Sequence, residues 1–297
     1  MKPLVSAIIT THNRKELLLK AIKSVLNQTY ENIELIIVDD ASTDDSQNYI
    51  KNNIKNGTYN YIYIEESKGG NHARNVGILN ANGDFIALLD DDDEWIETKI
   101  EKQVNYLLQH NNCNVVSCAR IFENDFLNRE KMDLNLFPDD GDMKQTIWCS
   151  LAFVTSTLMF RKEFLKEIGM FDENLKCWQD YELMIRSAQS TNIGVVREHL
   201  VLYRKSSNDK FRLSNNLSKW ESSIVYINNK HKKLIDDLPK DILNKYMKNI
   251  AIDGLYRAKN KKIRKQYIKL LYKSEPTFKN FIKYTFNISK LRFWQIN

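Results

Sequence analysis

Apolar runs alternate with helical patterns through the first 122 residues. Runs rich in Val and Ile predict strands at residues 4–10, 34–38, 61–64, 85–89 and 115–122. Apolar residues three or four positions apart predict helices at residues 14–28, 71–81 and 96–110, with a further helix after the second strand. Strands that alternate with helices indicate an α/β fold with a mostly parallel sheet flanked by helices.

Polar residues predict where two of these helices begin. Asn13, with Glu16 three residues later, resembles a capping box for the first helix. Ser42 or Thr43 is expected to cap the second helix.

The pattern changes after residue 122. Residues 123–145 are polar and predict a loop, and residues 153–160 predict a strand. Helices are expected at 162–168, where Gly169 ends the helix, and at 181–189. From about residue 213 the pattern is helical to the end. We therefore predict an α/β domain over residues 1–204 and a helical region over residues 205–297.

Charge divides the chain at the same place. The net charge is +6, but residues 205–297 carry +15 and residues 1–204 carry −9. Such asymmetry predicts an acidic globular part and a basic region that meets nucleic acid or an anionic membrane surface. The hydrophobic content of 42% is ordinary, no apolar run reaches membrane-spanning length, and the four cysteines have no C-x-x-C spacing. These features favour a cytoplasmic protein without disulfides.

Polar side chains follow three of the predicted strands. The first strand ends in Thr10, Thr11, His12 and Asn13, the second in Asp39 and Asp40, and the fourth in the run Asp90–Asp93. Since ligands bind at the carboxyl ends of parallel strands, these segments are expected to meet at one rim.

The four consecutive aspartates admit two interpretations. A solvated acidic loop is one, and a site for a hard divalent cation that also binds phosphates is the other. The apolar strand before the run and Trp95 after it favour the cation site. Arg74 would be a natural partner for phosphates there, although many arginines simply lie at the surface.

Several motifs resemble those of glycosyltransferase family 2, in the family's order and spacing. They are VSAIITTHNR (5–14), SVLNQTY (24–30), ELIIVDDASTD (34–44), ARNVG (73–77), GDFIALLDDDD (83–93), GMFDE (169–173) and QDYE (179–182). The resemblance covers about residues 3–204. It implies a GT-A fold, a nucleotide-sugar donor, inversion at the anomeric carbon and a divalent metal, Mn²⁺ or Mg²⁺.

The resemblance also assigns expected site residues. Thr10, Thr11, Asn13 and Asp40 would line the nucleoside pocket with Asp39 beside it, Arg74 would lie near the base or pyrophosphate, and Asp91 would lie beside the cofactor. Asp90 and Asp92 would be the metal ligands, with Asp92 the direct one. Asp180 would be the catalytic base, preceded by Gln179 where the family often has Glu. The family's His after a Tyr-Arg pair is absent, because Lys205 follows Tyr203 and Arg204.

Three other residues carry weaker expectations. Ser156 and Thr157 match positions that often contact donor or acceptor in the family. Trp178 could stack on a sugar ring, although an aromatic before a helix commonly belongs to a core.

These residues predict an inverting transfer of one sugar, a hexose or an N-acetylhexosamine, from a UDP-sugar to a glycan or lipid-linked oligosaccharide in bacterial surface-polysaccharide synthesis. Asp180 would accept the proton of the acceptor hydroxyl. The alternatives are a sugar nucleotidyltransferase and an inactive scaffold that recruits partners through its basic tail. The first expects a Gly-rich, Arg-containing loop after strand one, which this sequence lacks.

Residues 261–297 place cations around apolar and aromatic residues. That composition predicts a segment lying on anionic lipid, on the inner face of the cell membrane. A helical subdomain packed on the rest of the chain, or on a second subunit in a homodimer, is the other interpretation. Nucleic acid is disfavoured because no nucleic-acid-binding motif accompanies the charge.

Overall fold

The computed structural model describes residues 2–55, 58–205, 217–258 and 260–276. Within these residues nine strands form one sheet. They are β1 (Val5–Thr11), β2 (Ile33–Asp40), β3 (Asn60–Ile64), β4 (Phe85–Asp90), β5 (Glu94–Trp95), β6 (Cys113–Asn124), β7 (Arg129–Lys131), β8 (Met159–Arg161) and β9 (Asn192–Lys205). The strand order is β3-β2-β1-β4-β8-β6-β9-β5, with β7 paired to β6.

Helices connect and follow these strands. They are α1 (Lys15–Leu26), α2 (Ser46–Asn53), α3 (Gly70–Leu79), α4 (Lys99–Gln109), α5 (Lys162–Glu167), α6 (Gln179–Ser190), α7 (Leu217–Lys230), α8 (Lys232–Asp236), α9 (Lys240–Arg257) and α10 (Lys261–Ser274). Three-residue or four-residue 3₁₀ turns lie at Leu134–Leu136, Thr146–Cys149 and Thr155–Thr157. The predicted α/β class is confirmed.

The sheet is parallel in its first part and mixed in its second. Strands β1 to β4 pair in parallel, whereas β8 runs antiparallel to both β4 and β6. The parallel register places Thr10 opposite Asp90 and Thr11 opposite Asp39 at the carboxyl rim.

The core lies between the sheet and its helices. In α1 the buried residues Leu18, Ala21, Ile22 and Val25 form one face, as the spacing predicts. They join Ile9 and other residues of the parallel strands in one buried cluster. The strands that carry the polar rim therefore rest on a closely packed base.

Both predicted helix caps are wrong. Arg14 precedes α1 without a side-chain cap, and Asp45 precedes α2. Asn13 instead adopts a left-handed φ of 56°, and its Oδ1 accepts a hydrogen bond from the Thr43 amide at 2.7 Å. Ser42 Oγ accepts from the Asn13 amide at 2.8 Å. These residues tie two rim loops together, which takes their side chains away from the helix ends.

Two other sequence predictions need correction. The strand expected at residues 153–160 is largely a 3₁₀ turn, and only Met159 and Phe160 of that range belong to a strand, β8. The loop expected at 123–145 contains β7, which pairs with β6 as a hairpin. Strand β9 was not predicted.

The chain forms two compact units. The first comprises residues 1–144, 151–174 and 179–209, and the second comprises 145–150, 175–178 and 210–297. Two short segments before residue 204 thus belong to the second unit, and the domain boundary at residue 204 stays a prediction. Within that unit, Trp148 packs edge-on against Tyr246 with ring centroids 5.2 Å apart, and Trp178 packs against Trp220 at 5.8 Å.

Helices α9 and α10 pack on each other. Ala251 and Leu255 of α9 form a small buried cluster with Ile268 and Leu271 of α10. Part of the apolar face that the sequence assigned to lipid is thus covered within the protein. The predicted aromatic residues from 277 onward lie outside the described residues. Among the described helices, none has the length and apolar character needed to cross a bilayer.

Candidate active site

Strand β4 ends at Asp90, and the run Asp90–Asp93 turns tightly after it. The Asp93 amide donates to the Asp90 carbonyl at 3.1 Å, so the chain reverses within four residues. Because the turn rotates each successive side chain, the four carboxylates face different partners. They do not form a single solvated row.

Asp91 points into the protein. Its Oδ2 accepts from Thr11 Oγ1 at 2.7 Å, and its Oδ1 pairs with Arg14 Nη1 at 2.9 Å. Burial raises the pKa of Asp91 to about 7, against the opposing effect of the Arg14 charge. Thr11 and Asp91 are thus brought together as a buried support beneath the rim.

Asp90, Asp92 and Asp93 form a carboxylate cluster. One oxygen from each lies within 4.8 Å of the others. Three carboxylate oxygens at this spacing are the donors that Mn²⁺ and Mg²⁺ prefer, so the residues fit the expected divalent metal. The sequence predicted Asp90 and Asp92 for this role, and Asp93 is the third carboxylate of the cluster.

Two arginines neutralise part of the cluster. Arg74 Nη2 lies 2.6 Å from Asp90 Oδ1, and Arg14 Nη1 lies 3.4 Å from Asp92 Oδ2. Arg74 is held by α3 and is almost fully buried. Arg74 therefore lies at the acidic corner. The sequence analysis did not identify Arg14 as a site residue. Nothing in the local sequence of an arginine at a helix start shows which distant carboxylate it will pair with.

Asp93 is held from two distant parts of the chain. Ser156 Oγ donates to its Oδ2 at 2.6 Å, and the Arg204 amide donates to its Oδ1 at 3.1 Å. Burial, together with the charges of Asp92 and Asp90, raises the pKa of Asp93. Arg204 follows Tyr203 and directly precedes Lys205, where the histidine expected after the Tyr-Arg pair is absent. Its guanidinium pairs with Glu94 at 3.1 Å and with Glu123 at 3.4 Å.

The turn Thr155–Thr157 joins Asp180 to the acidic cluster. The Thr155 amide donates to Asp180 Oδ2 at 3.3 Å, and the neighbouring Ser156 Oγ accepts from the Asp90 amide at 3.1 Å. Asp180, in the first turn of α6, also accepts from its neighbour's amide, Tyr181, at 2.8 Å. The predicted base and the predicted metal ligands therefore lie at one site.

The electrostatics of Asp180 agree with this placement. Burial raises its pKa, and the Asp90 charge acts in the same direction. The Tyr181 and Thr155 amides and the Arg74 charge oppose that rise. An elevated pKa gives the carboxylate a higher proton affinity than an exposed aspartate, which suits a group that removes a proton.

The carboxylates of both aspartates at the end of β2 accept several hydrogen bonds. Asp39 accepts from Tyr61 Oη at 2.5 Å and from the Ser42 amide at 2.8 Å. Asp40 accepts from Ser67 Oγ at 2.7 Å and from the Lys68 and Gly69 amides at 2.8 and 2.9 Å. These bonds fix the loops on either side of the β2 end, and the nucleoside pocket expected there stays a prediction.

The remaining predicted residues fall in three places. Thr10 lies at the rim beside Asp90, and Asn13 lies in the loop next to Ser42. Thr157 is buried beneath the site, where its Oγ1 lies 2.9 Å from Ser117 Oγ. Trp178 belongs to the second unit and packs on Trp220. Thr10 and Asn13 are therefore near the acidic corner, whereas Thr157 supports it from below.

A family model and a solved structure match this chain. The model described as glycosyl transferase family 2 matches residues 6–169. Residues 1–349 of S. aureus TarS, solved in complex with UDP-GlcNAc, superpose with a TM-score of 0.69 at 17% identity, covering 91% of this chain and 80% of that one. At that identity the likeness shows the fold alone.

Two curated relatives extend the comparison. An uncharacterised glycosyltransferase of Rickettsia typhi is 30% identical over 215 residues, which is 68% of this chain and 64% of the relative. The first curated relatives thus share less than two thirds of their length with this chain. The UDP-Glc:alpha-D-GlcNAc-diphosphoundecaprenol beta-1,3-glucosyltransferase WfaP of Escherichia coli is 44% identical over 104 residues, 35% of this chain and 41% of the relative.

Proposed function

This chain is a glycosyltransferase that belongs to glycosyl transferase family 2, with a GT-A fold, and from that premise we propose its reaction. It transfers one sugar from a UDP-sugar to a hydroxyl group of a glycan or lipid-linked oligosaccharide, with inversion at the anomeric carbon. The observation that carries the proposal is the turn Thr155–Thr157, which contacts both Asp180 and the Asp90 corner. Donor and acceptor chemistry would then meet within one pocket.

Asp180 acts as the general base. Its Oδ2 takes the proton of the acceptor hydroxyl as the oxygen bonds to the anomeric carbon, while the bond from that carbon to the diphosphate breaks. The electron pair leaves with the diphosphate, so no covalent enzyme intermediate is formed. Direct displacement from the face opposite the leaving group inverts the configuration.

The acidic corner binds the donor. Asp90, Asp92 and Asp93 would hold Mn²⁺ or Mg²⁺, which when bound supplies positive charge for the departing diphosphate. Arg74 pairs with Asp90, and Arg14 pairs with both Asp91 and Asp92, so both guanidinium groups lie at the same corner. We propose that both arginines orient the diphosphate when donor binds.

The printed names of the similar proteins support the choice of substrates. WfaP is named for UDP-Glc and for a diphosphoundecaprenol-linked acceptor, and TarS was solved with UDP-GlcNAc. We therefore propose a UDP-hexose or UDP-N-acetylhexosamine as donor and a lipid-linked glycan as acceptor, in assembly of a bacterial surface polysaccharide. A lipid-linked acceptor would bring the enzyme to a membrane surface, which agrees with the peripheral location proposed for it.

The proposal is tested by a donor panel. The full chain is incubated with Mn²⁺ and, in turn, with UDP-Glc, UDP-GlcNAc, UDP-Gal and GDP-mannose, and the released nucleoside diphosphate is measured with and without a pyrophosphate-linked lipid glycan. We expect release from a UDP-sugar that increases with acceptor. Asp180→Asn should lower that rate by at least about 100-fold, because general-base catalysis contributes at least that much, and should leave Mn²⁺-dependent UDP binding intact.

Asp142→Asn serves as the matched control, because Asp142 is exposed and its Oδ1 accepts a hydrogen bond from the nearby Lys144 amide at 3.0 Å. Release of inorganic pyrophosphate from a nucleoside triphosphate and a sugar phosphate would instead identify a nucleotidyltransferase. Failure of every donor, together with no UDP binding, would favour the inactive scaffold. Full activity in Asp180→Asn would remove Asp180 from its role.

A further inference from the structure

The hairpin of β6 and β7 ends in a tip that carries two adjacent exposed apolar side chains. Phe126 is 85% exposed and Leu127 is 73% exposed, and polar residues flank them on both sides. A single exposed apolar residue is ordinary on a protein surface. Two neighbouring ones at a protruding turn form a small apolar patch, and such patches commonly mark a contact with another molecule.

Leu127 has a strained backbone conformation. Its φ of 60° lies in the left-handed region, which is unfavourable for leucine and is occupied far more readily by glycine or asparagine. Because the side chain is exposed, burial in the core does not compensate for this strain. An apolar residue that is both strained and exposed points to a role for its side chain outside the fold.

Asn124 provides hydrogen-bond partners for the backbone of the tip. Its Oδ1 accepts from the amides of Phe126 and Asn128 at 2.9 and 3.0 Å, and its carbonyl accepts from the Leu127 amide at 2.9 Å. An amide without a partner is costly to place in an apolar medium, whereas a paired amide is not. These three amides can therefore leave water together with the apolar side chains.

The tip lies beyond the same rim of the sheet as the acidic corner. Strand β8 runs antiparallel to both β4 and β6, so β4 and β6 run in the same direction. Near the end of β6, Glu123 pairs with Arg204 at 3.4 Å, and the Arg204 amide binds Asp93. Phe126 follows Glu123 by three residues, a span of at most roughly 10 Å. The tip thus projects next to the candidate active site.

We propose that Phe126 and Leu127 insert into the surface layer of a lipid bilayer and thereby hold the active-site rim against the membrane. The side chains that would insert are exposed, and the amides beside them already have partners. The benefit to catalysis rests on the proposed lipid-linked acceptor, which this orientation would bring toward the site.

Area and charge favour a bilayer over a protein partner. The two side chains offer roughly 300 Å² of surface, well below the roughly 800 Å² that each partner of a stable protein complex buries. The charges of residues 124–131 cancel, since Arg129 and Lys131 stand against Asp125 and Glu130. A charged protein surface therefore finds no complementary charge here, whereas hydrocarbon requires neither charge nor a matching shape.

The tip would act together with the basic C-terminal region. Insertion of two apolar side chains is a weak anchor by itself, and stable membrane binding generally needs two signals. Electrostatic attraction to anionic lipid would supply the first signal, and the tip would supply the second.

The test first measures insertion of the full chain into vesicles of equal parts phosphatidylcholine and phosphatidylglycerol. Phe126→Trp places a fluorophore at the tip, and phosphatidylcholine with brominated acyl chains quenches a tryptophan that reaches the hydrocarbon. We expect a larger fractional quenching in Phe126→Trp than in wild type, whose five tryptophans give the background. Equal quenching in the two proteins, or no binding of wild type to these vesicles, would overturn the inference.

A double variant, Phe126→Ser with Leu127→Asn, then removes both apolar side chains. It leaves the net charge unchanged, and asparagine tolerates the left-handed conformation at residue 127. We expect its affinity for the vesicles to fall at least about 10-fold, because two apolar side chains no longer leave water on binding. Its melting temperature should stay within about 2 °C of wild type, since both positions are exposed.

Leu79→Ser with Leu108→Ser is the matched control. These leucines are 61% and 49% exposed, and they lie in the last turns of α3 and α4, just before β4 and β6 begin. They are therefore at the opposite rim of the sheet, and we expect this variant to bind vesicles like wild type. An equal loss of binding in the two double variants would contradict the proposed role of the tip.

Sedimentation velocity distinguishes a lipid bilayer from a second copy of the chain. A wild type that self-associates while the Phe126→Ser, Leu127→Asn variant stays monomeric would assign the tip to a protein contact and overturn the inference. None of these measurements needs turnover. A chain that transfers no sugar would overturn the proposed function and still give a clear result for the tip.

Discussion

At the scale of single residues, four consecutive aspartates have four different environments. Asp91 and Asp93 are buried with raised pKa values, whereas Asp90 and Asp92 are partly exposed at the rim. The run predicts an acidic corner, but it cannot tell which carboxylates turn inward. That choice depends on partners far along the chain: Thr11, Arg14, Ser156 and Arg204.

A buried lysine supports the site from below. Lys99 is fully buried, with its amine 4.1 Å from the Trp95 ring centroid and 2.7 Å from Gln103 Oε1. Gln103 in turn donates to the Thr157 carbonyl at 2.8 Å, and Trp95 Nε1 donates to the Ser156 carbonyl at 2.9 Å. These side chains hold the turn that joins Asp180 to the acidic corner.

The buried position of Lys99 predicts how the free energy of unfolding changes with pH. Burial lowers the pKa of Lys99 from 10.5 to about 8. Between about pH 8 and pH 10.5 this side chain is therefore more protonated in the unfolded chain than in the folded one. Because the unfolded state binds more protons, the free energy of unfolding increases as the pH rises. Lys99→Met removes this contribution. From pH 7.0 to pH 9.5, the free energy of unfolding of wild type should increase relative to Lys99→Met by about 2 kcal/mol, measured by urea unfolding.

Lys102→Met, also on α4 but with its amine at the surface, controls for the general effect of removing a lysine from that helix. An equal difference between wild type and Lys99→Met at the two pH values would contradict the prediction.

At the scale of elements, apolar runs located the parallel strands well because both faces of those strands are covered. Strands β1, β2 and β4 are almost entirely buried, and their sequences are correspondingly apolar. Helices α1, α3 and α4 are also close to the predicted ranges. In these cases local pattern and tertiary burial point to the same structure.

Strand β9 escaped prediction because its apolar pattern is interrupted. Arg197 and Glu198 are exposed in its middle, where the pairing register with β6 shifts between Cys118 and Ala119. A bulge of this kind breaks the alternation that marks a strand. The turn Thr155–Thr157 was missed for a related reason, since Val, Ser and Thr suit a strand locally while its hydrogen bonds to the site require a turn.

Helix α3, which carries Arg74, packs closely on the sheet at Gly77. This close packing gives a second prediction, on the stability of a Gly77 variant. A Cβ added at Gly77 would lie 2.5 Å from Ile8 Cγ2 and 3.3 Å from Val38 Cγ2. Gly77→Ala gains helix propensity of up to about 1 kcal/mol but overpacks the core by about 1 to 3 kcal/mol. We expect a net loss of about 1 kcal/mol in the free energy of unfolding, measured with urea.

Leu79→Ala, at a residue of α3 that is 61% exposed, is the control and should change stability by less than about 0.5 kcal/mol. A Gly77→Ala protein more stable than wild type would show that α3 can move away from β1.

At the scale of the whole molecule, part of the excess positive charge of the C-terminal region lies on one exposed side of helix α10. Lys261, Lys265, Lys269 and Lys273 are exposed and four residues apart, so they form a stripe about 18 Å long on α10. None of the four forms an ion pair within the described residues. Like charges at this spacing repel one another, which favours contact with an anionic surface. Since the opposite face of α10 packs on α9, this attraction would be electrostatic rather than an insertion of apolar residues.

The third prediction concerns this lysine stripe. The full chain should float with vesicles containing phosphatidylglycerol but not with pure phosphatidylcholine, and 0.5 M NaCl should release it. Replacing the four lysines by Gln should reduce flotation at least about 10-fold, because each basic residue near an anionic surface contributes about 1 kcal/mol.

The matched variant replaces Lys232, Lys233, Lys240 and Lys245, which are exposed elsewhere in the second unit, and has the same net charge. Undiminished flotation of the stripe variant, or equal loss in both variants, would show that α10 is not a specific docking surface. Neither outcome bears on the proposed transfer chemistry, because its candidate residues Asp90, Asp92, Asp93 and Asp180 belong to the first unit.

Thr155 and Ser156 have a consequence for inhibitor chemistry. Because these adjacent residues contact Asp180 on one side and the Asp90–Asp93 corner on the other, a single peptide unit sets the span between the proposed base and the proposed metal site. A molecule that links a nucleoside diphosphate to an alcohol mimic would have to match that span. A rigid tether of the right length should then bind far more tightly than its two halves separately, whereas a longer flexible tether would lose most of that advantage.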